Sequence, residues 1–105
     1  MNEFLVVLTT AGTKEEAERI GKTLVKESLA ACINVIFPLT SIFSWEGRIE
    51  QAEEALLLMK TKRTLYEKLE TRLKQLHSYQ TPEVIALPVI FGSPEYLKWV
   101  SEICR

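Results

Sequence analysis

His77 is the only histidine in the chain and the first residue to consider for chemistry, because imidazole can transfer protons near neutral pH and can bind metal ions. It is followed by Ser78, Tyr79 and Gln80, at the point where a helical pattern ends. One histidine makes a poor metal site by itself, and no arrangement of a nucleophile with its base is visible. The simpler interpretation is a residue that interacts with the last carbonyl groups of its helix. Both interpretations stay open.

The two cysteines offer a second kind of chemistry. Cys32 and Cys104 are far apart in the sequence, with no CxxC pair and no spacing typical of a disulfide framework. Two reduced thiols in a cytoplasmic protein are the simplest interpretation. Nothing in their spacing brings them to His77 as soft metal ligands.

A cleft is predicted from three polar and aromatic residues. Trp45 lies at the presumed tip of a hairpin, where an aromatic side chain usually packs against a neighbouring surface. Tyr79, Pro82 and Glu83 form a rigid connection that either lines a cleft or only directs the chain into the next strand. We therefore expect a ligand or subunit cleft at Trp45, Tyr79 and Glu83. Three further carboxylates, typical of a solvated face, follow the tip: Glu50, Glu53 and Glu54.

The stretch 32–61 must position these residues. Its two apolar runs flank a short polar tip, which predicts a long hairpin. A strand-then-helix pattern over 4–30 precedes it, and a helix-then-strand pattern over 65–91 follows it. The order is β-α-β-β-α-β with an extra C-terminal helix, so we predict an α+β, ferredoxin-like fold with a four-stranded antiparallel sheet. The segment 50–62 has the composition of a helix, and periodicity alone does not decide between helix and strand for it.

Polar caps and prolines mark the ends of the elements. Thr13 and Glu16, and again Thr64 and Glu67, have the spacing of a capping box, in which both side chains bind free N–H groups at a helix start. Ser93-Pro94 is typical of the start of the last helix. Prolines at two strand positions predict edge strands or bulges: Pro38 and Pro88.

The predicted strands are apolar on both faces, notably at 4–8, 56–59 and 84–91. In this fold both crossover helices lie on one face of the sheet, because such connections are right-handed. The last helix can cover part of the second face. A neighbouring subunit is the better cover for the rest, so we predict an oligomer.

Length and charge exclude several classes of protein. The chain has 105 residues, with 47% apolar and 26% charged residues and a net charge of −1, so we predict one domain over 1–105. Lysine and arginine are scattered among glutamates, which argues against binding to nucleic acid or to anionic lipid. Met1-Asn2-Glu3 carries no positive charge before the apolar run, so we expect no secretory signal. Polar residues interrupt the long apolar stretch too early for a membrane span.

Together these segments resemble the CutA family, the divalent-cation tolerance proteins. The resemblance covers nearly the whole chain and rests on the following motifs: Glu27-Ser28-Leu29-Ala30-Ala31-Cys32-Ile33-Asn34, Thr40-Ser41-Ile42, Trp45-Glu46-Gly47-Arg48-Ile49, Lys60-Thr61, Leu76-His77-Ser78-Tyr79-Gln80-Thr81-Pro82-Glu83 and Tyr96-Leu97-Lys98-Trp99. It implies a ferredoxin-like fold, a strand rather than a helix at 50–60, a homotrimer closed by pairing of long strands, and a cytoplasmic location. It also implies no assigned reaction, so we expect no enzyme activity.

The chain departs from the family at three positions that concern metal binding. Family members proposed to bind copper carry a cysteine where this chain has Thr9, and can carry a second histidine where it has Leu76. Many have a proline where it has Ser78. We therefore expect only weak binding of copper or another divalent cation, with His77 as the nitrogen ligand and oxygen donors such as Glu83 or carboxylates from a neighbouring subunit.

Three functions compete on this fold. The first is a non-enzymatic trimer linked to metal-ion tolerance that binds a cation or small ligand at subunit clefts. Its variant is a regulatory or protein-interaction scaffold like the PII signalling proteins, without a physiological metal site. An RNA-binding module would need stacking aromatic residues on its strands, and these are missing. A hydrolase of the acylphosphatase type would need an arginine in the loop after the first strand, and Thr9–Thr13 has none.

Overall fold

The computed structural model describes residues 3–105. Met1 and Asn2, which belong to the segment expected to carry no secretory signal, lie outside the described residues. The elements follow in this order: β1 (Phe4–Ala11), α1 (Lys14–Lys26), β2 (Cys32–Trp45), β3 (Arg48–Lys62), a 3₁₀ turn (Arg63–Leu65), α2 (Tyr66–Leu76), β4 (Ile85–Pro88) and α3 (Pro94–Ile103). Within residues 3–105, no helix is long and apolar enough to cross a membrane.

The four strands form one antiparallel sheet in the order β2-β3-β1-β4. This confirms the predicted α+β, ferredoxin-like order with an additional helix at the end. The segment 50–62, which periodicity left open between helix and strand, belongs to strand β3. It pairs with β1 on one side and with β2 on the other, and its alternate residues Ala55, Leu57 and Met59 are buried. Pairing on both edges therefore outweighs the helical propensity of its residues.

The core lies between one face of the sheet and the helices α1 and α2. Alternate residues of β1 point to this face, so that Leu5, Val7 and Ala11 are buried while their neighbours are half-buried. The helices contribute apolar residues at helical spacing: Ala17, Ile20, Leu24, Leu69 and Leu73. Alternation in β1 and helical spacing in α1 and α2 thus build this half of the core.

Of the three predicted helix caps, the one at Ser93 is confirmed, and the Thr13–Glu16 box is confirmed in its threonine half only. The Thr13 side chain accepts a hydrogen bond from the Glu16 N–H at 3.0 Å, and the Ser93 side chain accepts one from the Tyr96 N–H at 3.4 Å. The capping box at Thr64 is wrong. Arg63 binds the Glu3 carbonyl through its N–H, and the chain passes from β3 directly into the 3₁₀ turn, which places Thr64 inside that turn. The residue that caps α2 is Leu65, without a side-chain hydrogen bond.

The β2–β3 hairpin extends well beyond the rest of the sheet. β1 ends opposite Ala55, so residues 39–54 pair only with each other, and we call them the hairpin arm. The register shifts between Ile36 and Leu39, around Pro38, as predicted for a proline in an edge strand. At the tip, Glu46 and Gly47 both have positive φ, as the tight turn of a two-residue hairpin requires.

The second face of the sheet carries exposed apolar side chains. α3 packs at one end of the sheet, where Val100 and Cys104 contact Ala31 and Leu65. Strand β4 is shorter than the predicted 84–91, because Pro88 has no N–H to donate to β1. Beyond Pro88, the pairing with β1 continues only through the Val89 N–H, which donates to the Phe4 carbonyl. Large apolar side chains stay exposed on this face, on the arm and after β4: Ile36, Phe37, Ile42, Phe43, Trp45, Ile49, Ile85, Leu87, Ile90 and Phe91.

Candidate functional site

Five side chains meet where β1 leads into α1 and where α2 ends. They are Glu16, Glu54, His77, Ser78 and Tyr79, and we call them the His77 corner. Glu16 comes from the first turn of α1, Glu54 from β3 at the base of the hairpin arm, and the other three from the segment after α2. Glu16 and Glu54 are buried although they are carboxylates, so their hydrogen bonds decide what the site can do.

The His77 ring has both of its nitrogens in hydrogen bonds. Nε2 lies 2.7 Å from the Thr10 carbonyl oxygen, and Nδ1 accepts the Tyr79 N–H at 3.0 Å. A carbonyl only accepts, so the hydrogen-bond network assigns the ring proton to Nε2 and leaves a neutral imidazole. The ring therefore ties the end of α2 to β1. The ring does not bind the carbonyl groups of its own helix. That contact is made by the His77 backbone N–H, which donates to the Leu73 carbonyl at 3.0 Å.

Glu16 is fixed by Ser78, the residue where many relatives are expected to have proline. The Ser78 N–H donates to one carboxylate oxygen at 2.8 Å and its hydroxyl lies 3.0 Å from the other. Burial alone would raise the pKa of Glu16. The two bonds from Ser78, with a smaller contribution from the charge of Arg19, outweigh that effect and lower the pKa of Glu16 below 4.5. The carboxylate of the predicted capping box thus binds a distant turn, and only the threonine half of that box forms.

Tyr79 connects the same turn to the hairpin arm. Its hydroxyl donates to Glu54 Oε2 at 2.6 Å, and its ring lies 4.8 Å from the His77 ring. Burial, together with the hydrogen bond to the Glu54 carboxylate and the charge of Glu16, raises the pKa of Tyr79 to about 12. Gly12 permits this approach, since a Cβ there would lie 3.3 Å from the Tyr79 oxygen. Tyr79 is therefore a hydrogen-bond donor at neutral pH.

The His77 corner does not fit a tight metal site within one chain. Copper would need the lone pair of Nδ1, which the Tyr79 N–H already occupies. Within residues 3–105, no group of three His, Cys, Asp or Glu side chains is placed to hold a metal ion. Thr9 is buried and Leu76 half-buried in the positions where copper-binding relatives are expected to supply ligands. The nearby oxygen donors are Glu16 and Glu54, and both already accept hydrogen bonds.

The other predicted site residues lie apart from this corner. Trp45 is 58% exposed at the tip of the arm, opposite Arg48. Glu54 lies six positions after Arg48 along β3, or about 20 Å at the rise of a strand. Trp45 and Tyr79 of one chain therefore cannot line the same cleft. Glu83 is exposed in the connection to β4.

The two cysteines are unpaired thiols. Cys104 is buried with its sulfur 3.8 Å from the Thr61 hydroxyl, and burial raises the pKa of this thiol. Cys32 is half-buried at the start of β2. Tyr96 is the residue beside it, and desolvation together with the Cys32 thiol raises the pKa of Tyr96. Neither thiol belongs to the His77 corner.

Sequence reasoning missed Glu16 and Glu54 as members of the site. The sequence pattern places Glu16 in a helix cap and Glu54 on a solvated face. Their partners, Ser78 and Tyr79, are distant in sequence, so no local pattern signals either contact. The weak signal for Glu54 was its position in β3, where it directly precedes the apolar run.

Comparison with known proteins gives a consistent result. The model of the CutA1 divalent ion tolerance protein family matches residues 5–103. A divalent-cation tolerance protein CutA from Thermus thermophilus is 47% identical over 97 residues, which is 92% of this chain and 94% of the relative. A solved structure of a divalent cation tolerance protein from the same organism has a TM-score of 0.95 at 45% identity, covering 97% of this chain and 99% of that one.

The description of a second similar structure names a cellular location for that protein. It is described as the periplasmic divalent cation tolerance protein CutA from Archaeoglobus fulgidus, with a TM-score of 0.92 at 41% identity over 95% of this chain and 97% of that one. These likenesses agree with the order of elements found above.

Proposed function

The chain belongs to the CutA1 divalent ion tolerance protein family, and from this we propose that it acts in tolerance to divalent metal ions such as copper as a non-enzymatic homotrimer. In this proposal the clefts between subunits bind a cation or a small ligand. The observation that carries the assembly is the apolar surface that a single chain leaves uncovered.

The hairpin arm is the strongest part of that observation. Ile42 and Ile49 are 66% and 77% exposed on a two-stranded ribbon that no other strand of the chain supports. A two-stranded hairpin is marginally stable in water, and monomeric proteins rarely expose large contiguous apolar patches. Packing between chains would supply the missing cover. The choice of three copies follows the trimers that the family resemblance implies.

Binding rather than catalysis is supported by the chemistry of the His77 corner. The imidazole is neutral with both nitrogens in hydrogen bonds, and the high pKa of Tyr79 keeps its hydroxyl protonated. Neither group is placed as a base beside a nucleophile. The corner instead joins β1, α1, α2 and the arm, so it fixes the shape of the cleft that Tyr79 and Glu83 border.

The proposed cleft combines residues of two subunits. Trp45 lies about 20 Å along the arm from the Tyr79 contact, so only a Trp45 from another copy can face Tyr79 and Glu83. Direct metal binding there is weak in this proposal, because His77 must release the Tyr79 N–H before Nδ1 can bind a cation.

A second candidate, a regulatory or protein-interaction scaffold like the PII proteins, is favoured by the occupied His77 nitrogens. Titration of Cu(II) into the wild type and into His77→Ala by calorimetry separates the two. Weak binding that is lost with His77 supports the metal-binding proposal, and no binding at millimolar Cu(II) supports the scaffold. Tight binding that survives His77→Ala would contradict the proposed site and direct attention to Cys32.

The proposed location is the cytoplasm, and it rests on the two unpaired thiols, which persist best in a reducing compartment. The periplasmic description belongs to the Archaeoglobus fulgidus protein. Fractionation of the host cell with detection of the untagged protein tests this point, and recovery in the periplasm would contradict it.

A further inference from the structure

Glu54 is a buried carboxylate that its own chain pairs only in part. The residue is 7% exposed, and the Tyr79 hydroxyl donates to its Oε2 at 2.6 Å. Within residues 3–105, no ion pair and no second hydrogen bond includes the Glu54 side chain. Burying a carboxylate is costly unless a positive charge or several donors compensate it. The single chain therefore compensates this charge with one hydrogen bond.

The other oxygen of this carboxylate, Oε1, is open to the surface. Every sealed side-chain nitrogen or oxygen of residues 3–105 has a hydrogen-bond partner, so Oε1, which has none in this part of the chain, is not sealed. Tyr79, which binds Oε2, is 38% exposed. A ligand can thus reach one carboxylate oxygen and part of an aromatic ring at the same place.

One free oxygen beside an aromatic ring selects the kind of cation. A divalent metal ion needs several ligands, and within residues 3–105 no group of three His, Cys, Asp or Glu side chains is placed to supply them. A guanidinium group binds best to two free oxygens of one carboxylate, and Tyr79 already occupies one of the two. An ammonium group needs only one charged acceptor, and the face of a tyrosine ring attracts it further.

The charges around this opening are negative. The carboxylate of Glu16 acts on Tyr79, and Glu53 and Glu83 add exposed carboxylates on the neighbouring segments. His77 is neutral in its hydrogen-bond network, so it does not offset them. Negative charge along a cleft attracts cationic ligands and repels anionic ones.

We propose that the cleft at Tyr79 binds a small organic molecule through a protonated primary amine, which donates to Glu54 Oε1 and lies against the Tyr79 ring. This inference rests on the proposed function and names the ligand class of its cleft. In the assembled protein, the Trp45 of a neighbouring copy would supply a second aromatic ring to the same ammonium group.

NMR titration of the full chain tests the site. Butylammonium chloride is the probe, and 1-butanol and sodium butyrate are the neutral and anionic controls, all at pH 7 and matched ionic strength. The backbone amide signals of Gly12 and Tyr79 report binding, since Gly12 lies beside the Tyr79 hydroxyl. Glu54→Gln removes the charge and keeps an oxygen for that hydroxyl. Glu53→Gln, at the exposed neighbouring position, is the matched control.

Saturable shifts with butylammonium alone support the proposal if Glu54→Gln weakens binding about tenfold or more and Glu53→Gln changes it by less than about twofold, because only the first variant removes the charged acceptor. Equal shifts with 1-butanol, or an unchanged affinity in Glu54→Gln, overturn it. If Glu54→Gln fails to fold, the comparison of the three probes on the wild-type protein decides by itself.

Light scattering on the same samples separates this inference from the proposed homotrimer. A wild-type trimer that does not bind butylammonium overturns the inference and leaves the homotrimer standing. A monomer that binds butylammonium through Glu54 overturns the homotrimer and supports the site. A monomer without binding overturns both.

Discussion

The His77 corner and the hairpin arm are neighbours joined by the Tyr79–Glu54 hydrogen bond, yet they differ in how far one chain completes them. In the corner, polar groups are matched within the chain, and no buried side-chain nitrogen or oxygen of residues 3–105 lacks a hydrogen-bond partner. On the arm, Ile42, Trp45 and Ile49 have more than half of their surface exposed. The buried polar groups of the corner are therefore satisfied within one chain, whereas the arm leaves apolar surface exposed, which the proposed assembly would cover.

The largest effect is expected from a charge on the arm. Ile49→Asp places a carboxylate in the proposed interface, where burying it costs several kcal/mol, so the protein should dissociate and melt at lower temperature. The control Lys68→Asp on the exposed side of α2 should change stability by less than about 0.5 kcal/mol. Light scattering and thermal unfolding measure both. An Ile49→Asp protein as stable and as large as the wild type would show that the arm is an ordinary exposed surface.

Adjacent leucines of β3 give the next comparison, because they point to opposite faces of the sheet. Leu57 is fully buried against the helices, so Leu57→Ala should cost about 2–5 kcal/mol from cavity formation. Leu58 is half-buried within one chain. In an assembly that covers the second face, Leu58→Ala should cost nearly as much and should also weaken association. Denaturant unfolding checks this, and a cost below about 1 kcal/mol for Leu58→Ala would indicate an uncovered face.

A smaller, pH-dependent effect is expected in the corner. The pKa of Glu16 is lowered by its bonds to Ser78, so its contribution to stability is complete above pH 4.5 and disappears as the pH falls through the folded-state pKa. Glu16→Gln should destabilise by about 1–2 kcal/mol at pH 7 and by progressively less in acid. Denaturant unfolding between pH 3 and pH 7 measures this, with Glu15→Gln as the exposed control. A constant difference across that range would contradict the role of the charge.

The smallest effect concerns the connection between the two regions. Tyr79→Phe leaves Glu54 without its hydroxyl donor and should cost about 1 kcal/mol. Absorbance at 295 nm should show one tyrosine that ionises near pH 12 in the wild type and is lost in Tyr79→Phe. A Tyr79 that titrates near pH 10 would mean that its hydroxyl is not bound to Glu54.

The elements that local patterns predict are those whose apolar residues repeat at helical or strand spacing. α1, with its Thr13 cap, and α3, with its Ser93 cap, are examples. The Thr64 box failed because the backbone bond from Arg63 to Glu3 fixes a 3₁₀ turn there, and that bond joins distant parts of the chain. The assignment of β3 as a strand depended on the family resemblance, because its composition favours a helix.

The site was harder to predict than the fold. His77 and Tyr79 were identified from residue type, but their bonds to Thr10 and Glu54 depend on how β1 and β3 pass beside the end of α2. Ser78, considered only as a missing proline, supplies an N–H and a hydroxyl to Glu16, and a proline could not donate that N–H. Contacts of this kind follow from tertiary packing and leave no periodic signal.

The most direct test of the difference between the corner and the arm is sedimentation equilibrium of the wild-type protein at micromolar concentration, followed by thermal unfolding over a hundredfold range of concentration. We expect a species of three times the 12.0 kDa chain mass, with a melting temperature that rises with protein concentration because folding and assembly are coupled. A folded 12.0 kDa monomer with a melting temperature independent of concentration would contradict the proposed assembly.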